Sequence, residues 1–426
     1  MMKVLVSLFA LFFIGNASGA LELKEEVVLE EKVNFFEKAV ELQVRVDMIQ
    51  SSKYWNENKE LNSMAFVDVL WKKGWDSPSS ADHDRVRHSL EKININDFEL
   101  TDKIRLFLLD EKLGRKIAFN SEFMSDLFNK AVSGELERRE IYTLLNYQDS
   151  LLDLGFEDIF VEVDRKYRED LSLYEAAKNS SKEELTKEEL QDLVFHDLDL
   201  DDFSRGKYSS KPKIYMLCRH DRNFPCMMVM KDTKNELVKN SDGTVWMQSA
   251  LGLARKNRAY NVKNGYTPAG VYTIDSVMPE ANRRTVFGKY RRLILNFISK
   301  SRNEEVTKKL LPESSELSLW WKQAVVARDI GRNLLRIHGT GLRNNNPQSS
   351  YYPFVPTSGC IAQRENSYDG VKYKDQRKLL DVMMKASNLK AKYKNEVNLK
   401  GLLYVVEVDG AKKEMSRSDV EDLLNL

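Results

Sequence analysis

The chain has 426 residues, 42% hydrophobic and 31% charged, with a net charge of +1. At roughly 100–200 residues per domain, this length predicts two or three domains, each able to bury a core. Balanced charge and 10% aromatic content exclude a disordered polyelectrolyte, a collagen-like chain and a polytopic membrane protein, and the near-neutral total gives no sign of a nucleic-acid partner.

The chain opens with Lys3, an apolar run from Val4 to Ile14 broken by Ser7, and the small residues Ala17, Ser18, Gly19 and Ala20. A helix of that run would rise only about 16 Å against a hydrocarbon core of about 30 Å. The pattern fits a signal peptide over residues 1–20, cleaved before or after Ala20. The mature protein is expected to be exported, periplasmic or secreted, without stable membrane insertion.

The near-zero total conceals a division. Residues 21–210 carry 27 Lys+Arg against 43 Asp+Glu, a net of −16, whereas residues 211–426 carry 38 against 22, a net of +16. The expected domains are an acidic one at 21–205 and a basic one at 206–426. A basic surface outside the cytoplasm favours an anionic partner, and opposite charges also favour docking of the two halves.

The acidic half reads as helical. Val33–Met48 places Val33, Phe36, Val40 and Val46 at helical spacing, and similar patterns run through Thr101–Leu113, Ser121–Val132, Glu137–Leu154 and Leu185–Val194. Ser181 before Lys182, Glu183 and Glu184 has the form of a helix start. Asp197, Asp199 and Asp201 resemble an EF-hand opening. Asp202 stands where that loop needs Gly, however, and Tyr208 where it needs Glu, so a solvated acidic turn is expected. His83 and His88 are too far apart to share a helix face and predict an exposed loop rather than a metal site. The role of this half is not legible, and it leaves room for a protein partner.

The basic half changes period. Ile214–Arg219 and Cys226–Lys231 predict a β-hairpin, with further strands at Thr244–Gln248, Gly270–Val277, Arg292–Ile298, Leu334–His338 and Leu402–Val408. Helical pattern returns at Glu316–Ala327 and Lys374–Ala386. The fold class is therefore α+β: a mostly helical N-terminal domain, then a mostly β domain with inserted helices.

The chain has three cysteines. Cys218 and Cys226 flank the predicted hairpin and could form a disulfide or remain two buried thiols. Cys360 has no evident partner. It lies in Ser358-Gly359-Cys360-Ile361, after a glycine that lets a ligand approach the backbone and whose neighbouring amides could bind an oxyanion. Upstream, the apolar run Leu334–Ile337 delivers His338 to His338-Gly339-Thr340-Gly341. A free thiol titrates near pH 8.5, and a nearby imidazole can take its proton to make a nucleophile.

His338-Gly339-Thr340 followed by Ser358-Gly359-Cys360-Ile361 resembles the signature of L,D-transpeptidases with the YkuD-type catalytic domain. That signature is a His-Gly pair, a variable loop and then Ser/Thr-His-Gly-Cys. Thr267-Pro268-Ala269-Gly270-Val271-Tyr272-Thr273-Ile274 also resembles the family's Thr-Pro-x-Gly-x-Tyr strand. The resemblance spans roughly residues 211–410. It departs from the pattern at Ser358, where the family has His, and at Ala362, where Arg or Asn follows the Cys. Papain-like hydrolases place Cys before His, the reverse of the order here.

The resemblance implies a cysteine acyltransferase of cell-wall biogenesis acting on peptidoglycan stem peptides, with no metal or organic cofactor. Cys360 would be the nucleophile and His338 its base, oriented by the Gly339 carbonyl. Ser358, Gly359 and Thr340 would serve the oxyanion or substrate, and Arg336, Arg343 and Arg364 are candidate carboxylate binders. An L,D-carboxypeptidase or another wall hydrolase on the same fold, and an inactive wall-binding module, are the alternatives.

Overall fold

The computed structural model describes residues 67–68, 70–71, 73–75, 78–91, 93–114, 120–196, 210–278, 284–298 and 304–426. The expected signal peptide, the helix Val33–Met48 and the acidic turn through Asp197–Asp202 and Tyr208 lie outside these residues. Among the described residues no helix is long and apolar enough to cross a membrane. The architecture is α+β.

Helices occupy Ser80–Leu90, Leu100–Lys112, Asn120–Ser133, Arg138–Asn146, Gln148–Leu152, Glu157–Lys166, Arg168–Asn179 and Lys187–Phe195. Apolar residues at three- and four-residue spacing, such as Ile104 and Leu108 or Ile141 and Leu144, turn inward and are buried. The expected helix over Glu137–Leu154 is two helices, because Tyr147 leaves helical geometry at φ −117°, ψ 20°. The expected start at Ser181 is instead a short 3-10 turn at Ser180–Lys182. The helix begins after Thr186, whose hydroxyl accepts the Glu189 N–H (3.1 Å) while the Glu189 carboxylate accepts the Thr186 N–H (2.9 Å). That reciprocal capping box satisfies two backbone donors. His83 and His88 sit on the helix Ser80–Leu90 rather than in a loop. No cluster of His, Cys, Asp or Glu suited to a metal occurs among the described residues.

The strands are β1 (Lys213–Arg219), β2 (Cys226–Lys231), β3 (Met247–Ala250), β4 (Gly270–Val277), β5 (Leu293–Phe297), β6 (Leu335–His338), β7 (Ile361–Ala362), β8 (Glu365–Tyr368), β9 (Val371–Lys374) and β10 (Gly401–Asp409). Eight of them form a mixed sheet in the order β3-β2-β1-β10-β4-β5-β6-β7, and β8 pairs with β9 in a separate hairpin. β1 runs parallel to β10 and β6 parallel to β7. A bridge between Leu251, which follows β3, and Ala362 in β7 draws the two edges of the sheet together. Cys218 and Cys226 form a disulfide across the β1–β2 turn, which settles the alternative left open by the sequence.

β1 and β2 are buried along their whole length because helices cover both faces. Ile214, Met216 and Cys218 point to one core, with Leu379, Leu380, Met383 and Met384 of the helix Asp375–Ala386. Tyr215 and Leu217 point to the other, with Leu190, Leu193 and Val194 from Lys187–Phe195 and Val420 and Leu424 from the C-terminal helix Arg417–Leu424. The two-residue period of the strand makes this division. Through the second core the acidic helical segment is built onto the sheet, and Lys59–Leu426 forms one compact unit.

A polar knot crosses the same junction. Gln323, on the helix Lys322–Asp329, donates to Ser180 Oγ and to Glu407 Oε2, both at 2.7 Å, and accepts the Ala269 N–H at 3.0 Å. Glu407 also pairs with Arg222 at 3.0 Å. All of these side chains are buried, so each group would be left without water if Gln323 were lost. Gln323→Leu is expected to lower the stability of the unit by about 3 kcal/mol, read as a shift of the urea unfolding midpoint with an unchanged slope.

Candidate active site

β6 and β7 pair in parallel with Ile337 opposite Ile361 and His338 opposite Ala362. This register sets Cys360, one residue before β7, beside Arg336 and within hydrogen-bonding reach of His338. The imidazole Nδ1 lies 2.5 Å from the Gly339 carbonyl oxygen. With Nδ1–H donating there, Nε2 is the ring nitrogen left as a proton acceptor. The ring of Phe287 meets the imidazole edge-on at 5.0 Å and limits its rotation.

Cys360 is buried, 8% exposed. Burial pushes its pKa up. The hydrogen bond and charge of His338, with the charge and backbone N–H of Arg336, more than offset this and bring it down from 9.0 to about 7. The shift favours the ionised thiol, the state a nucleophile needs. Its other near neighbour is the Leu334 carbonyl, 3.8 Å from Sγ. Leu334 is held in the left-handed region at φ +59°, an uncommon conformation for a non-glycine residue that turns the chain into β6.

The segment before Cys360 is fixed by three contacts. Thr357 Oγ1 donates to the Cys360 carbonyl at 2.5 Å, Thr267 Oγ1 donates to the Gly359 carbonyl at 2.9 Å, and Thr357 N–H donates to Leu253 O at 3.2 Å. Gly359 has φ +106°, and a Cβ there would stand 2.7 Å from Arg332 Nη2 and 2.8 Å from the Gly265 carbonyl. Only glycine fits. The same physics explains the Thr-Pro-x-Gly-x-Tyr stretch: Tyr272 OH donates to Pro268 O at 2.7 Å, and a Cβ on Gly270 would lie 2.2 Å from the Ala324 Cβ.

Two participants have no signal in the local sequence. Arg332 is buried and spends its guanidinium on backbone carbonyls of Tyr260, Gly265 and Tyr266. Among the described residues it has no acidic partner; burial pulls its pKa down to about 10, and the nearby Cys360 is among the groups that hold it up. Glu365 opens β8 under the histidine loop, with Oε2 accepting the Lys289 N–H at 2.7 Å. Burial raises its pKa, against the backbone N–H of Lys289 and the charge of His338. A Cβ on Gly339 would come 1.9 Å from Glu365 Oε1, so the His338-Gly339 turn is seated directly on this carboxylate.

The remaining sequence candidates divide. Thr340 Oγ1 accepts the Leu342 N–H at 3.0 Å and so shapes the loop after the histidine. Ser358 is exposed beside Gly359. Arg336 is buried next to the thiol, with Nη1 donating to Leu334 O at 3.0 Å. Arg343 is exposed, donates to Ser367 O at 2.7 Å and lies 5.4 Å from the Tyr368 ring centroid. Arg364 is committed to Asp375 at 2.6 Å and packs over the rings of Tyr373 and Phe354. The chain matches no protein-family model, no curated protein and no solved structure.

Because His338 supplies both the hydrogen bond and the leading charge, its removal leaves burial dominant. The rate of Cys360 alkylation by iodoacetamide is expected to titrate near pH 7 in the native protein, with the thiol of His338→Ala returning to 9.0 or above. At pH 7 the variant should react about fiftyfold more slowly. An unchanged titration in His338→Ala would remove the imidazole from the account.

Proposed function

We propose that the protein is an exported cysteine acyltransferase that acts on peptidoglycan stem peptides, an L,D-transpeptidase whose catalytic fold is the sheet-bearing region from about residue 211. The observation that carries this reading is a thiol held near its ionisation point beside an imidazole that the adjacent Gly339 carbonyl orients. The order of the residues and the resemblance of the His338-Gly339 and Gly359-Cys360 motifs name the substrate class.

In this mechanism His338 Nε2 takes the proton from Cys360 Sγ. The thiolate attacks the carbonyl carbon of the amide that follows the third residue of the stem. The negative charge then sits on the former carbonyl oxygen, where the amides around Gly359 and Cys360 offer donors, each worth about 3–4 kcal/mol in such sites. As the C–N bond breaks, the imidazolium returns its proton to the departing amine, and D-alanine leaves a thioester on Cys360. An amine of a second stem attacks the thioester, loses a proton to His338 and restores the thiol. Water in place of that amine gives the carboxypeptidase outcome.

Incubation of the purified protein with disaccharide-tetrapeptide, beside Cys360→Ala, tests the proposal by mass spectrometry of the products. Release of D-alanine with a dimer joined between the third residues of two stems is the expected result, and it should vanish in Cys360→Ala. Tripeptide as the sole product would assign the carboxypeptidase reaction. Absence of any Cys360-dependent product, with no adduct from a carbapenem, would overturn the enzymatic reading in favour of a wall-binding module.

A further inference from the structure

A cavity of about 320 Å³ opens beside the histidine loop, lined by Lys289, Arg343, Lys372 and Lys374 with Glu365 and Tyr373 among its other walls. The β8–β9 hairpin builds it. Lys372 stands opposite Ser367 and Lys374 opposite Glu365, so the two-residue period of β9 puts both lysines on one face. Lys289 arrives from the other side, where its backbone is fastened to Glu365. Arg343 closes the rim, its guanidinium steadied by the Ser367 carbonyl and the Tyr368 ring.

Four cations thus converge on one concave surface, and among the described residues neither Lys372 nor Lys374 is engaged in an ion pair. Converging like charges repel one another, and an anion in the cavity relieves that repulsion. The single carboxylate of the wall, Glu365, is buried, with its Oε2 on the Lys289 backbone; its charge acts on Lys289, and one carboxylate does not balance four cations.

The cavity is coupled to the reacting groups through its own wall. Glu365 seats Gly339, and Asn366 Nδ2 donates to the carbonyls of Thr340 and Leu342, both at 3.1 Å. A ligand group in the cavity is therefore held against the loop that carries His338.

We propose that this cavity is an anion subsite that takes a free carboxylate of the peptide whose acyl group is transferred at Cys360. The proposal rests on the stem-peptide reading above and adds to it a binding determinant on the β8–β9 hairpin. Carboxylate fits the site better than an apolar group because flexible lysine ammonium groups with an arginine fork offer several charge-assisted donors.

The test compares KM and kcat of the native protein, Lys372→Ala/Lys374→Ala and Lys372→Arg/Lys374→Arg, using tetrapeptide with all carboxylates free and peptides amidated at one carboxylate at a time. Both lysines are exposed, so neither substitution disturbs the core. The double alanine variant should raise KM about tenfold for the free peptide with kcat little changed, and the double arginine variant should restore it. Amidation of one particular carboxylate should raise KM in the native protein and have no further effect in the alanine variant. A KM unchanged by the alanine substitutions, or an equal loss for free and amidated peptides, would remove the subsite while leaving the acyl-transfer reading intact. Absence of turnover by the native protein would remove that reading and the subsite with it.

Discussion

The site depends on a two-residue strand. β7 is only Ile361–Ala362, yet its parallel register against β6 converts 22 residues of sequence separation between His338 and Cys360 into adjacency across one strand spacing. A shift of one residue would turn the side chains of β7 to the opposite faces of the sheet. Several contacts hold the register. Ala362 is bonded in both directions to Leu251, Gln363 N–H donates to the His338 carbonyl at 2.8 Å, and Thr267 and Thr357 hold the turn ahead of Cys360. The short strand is thereby specified from both sides rather than by its own length.

Around that register the protein places positive charge. Arg336 lies beside the thiol, and Arg332 lies under Gly359 with backbone carbonyls as its partners. The guanidinium of Arg332 is held by neutral carbonyls, with Tyr272 and Cys360 among the groups that keep it charged against its burial. The desolvation that would otherwise suppress ionisation of the buried cysteine is offset first by the hydrogen bond and charge of His338 and then by Arg336. The buried acid nearest the loop, Glu365, is placed behind Gly339, where it can steady an imidazolium without facing the sulfur. Further off, the Gln323 and Arg222–Glu407 network fixes the helices to the sheet.

The juxtaposition of His338 and Cys360 was legible in the sequence because the two sit in short motifs whose residue types have local causes. Gly359 needs φ +106°, His338 ends an apolar strand, and Gly339 must leave room for Glu365. The longer strands of the basic half were legible too: β4 spans Gly270–Val277 as expected, whereas the third strand lies at Met247–Ala250 rather than Thr244–Gln248 and the short β7, β8 and β9 were not expected. Other features required the tertiary structure. Nothing near Arg332 in the chain shows that its partners are the carbonyls of residues 260–266, and Glu365 gains its place only when β8 folds under the histidine loop. The Thr186–Glu189 capping box was written in the sequence, but Ser181 and Glu184 share its spacing, so the pattern alone does not choose between them. The three arginines named for their charge alone have different surroundings: one beside the thiol, one on the cavity rim and one bound to Asp375.

The covalent intermediate is the most direct test of the account. Intact-protein mass spectrometry after rapid acid quench of the protein with disaccharide-tetrapeptide should show an added mass equal to the substrate less one D-alanine. Fragmentation should place that mass on the peptide bearing Cys360. Turnover that proceeds in Cys360→Ala, or an acyl adduct located on any other residue, would contradict it.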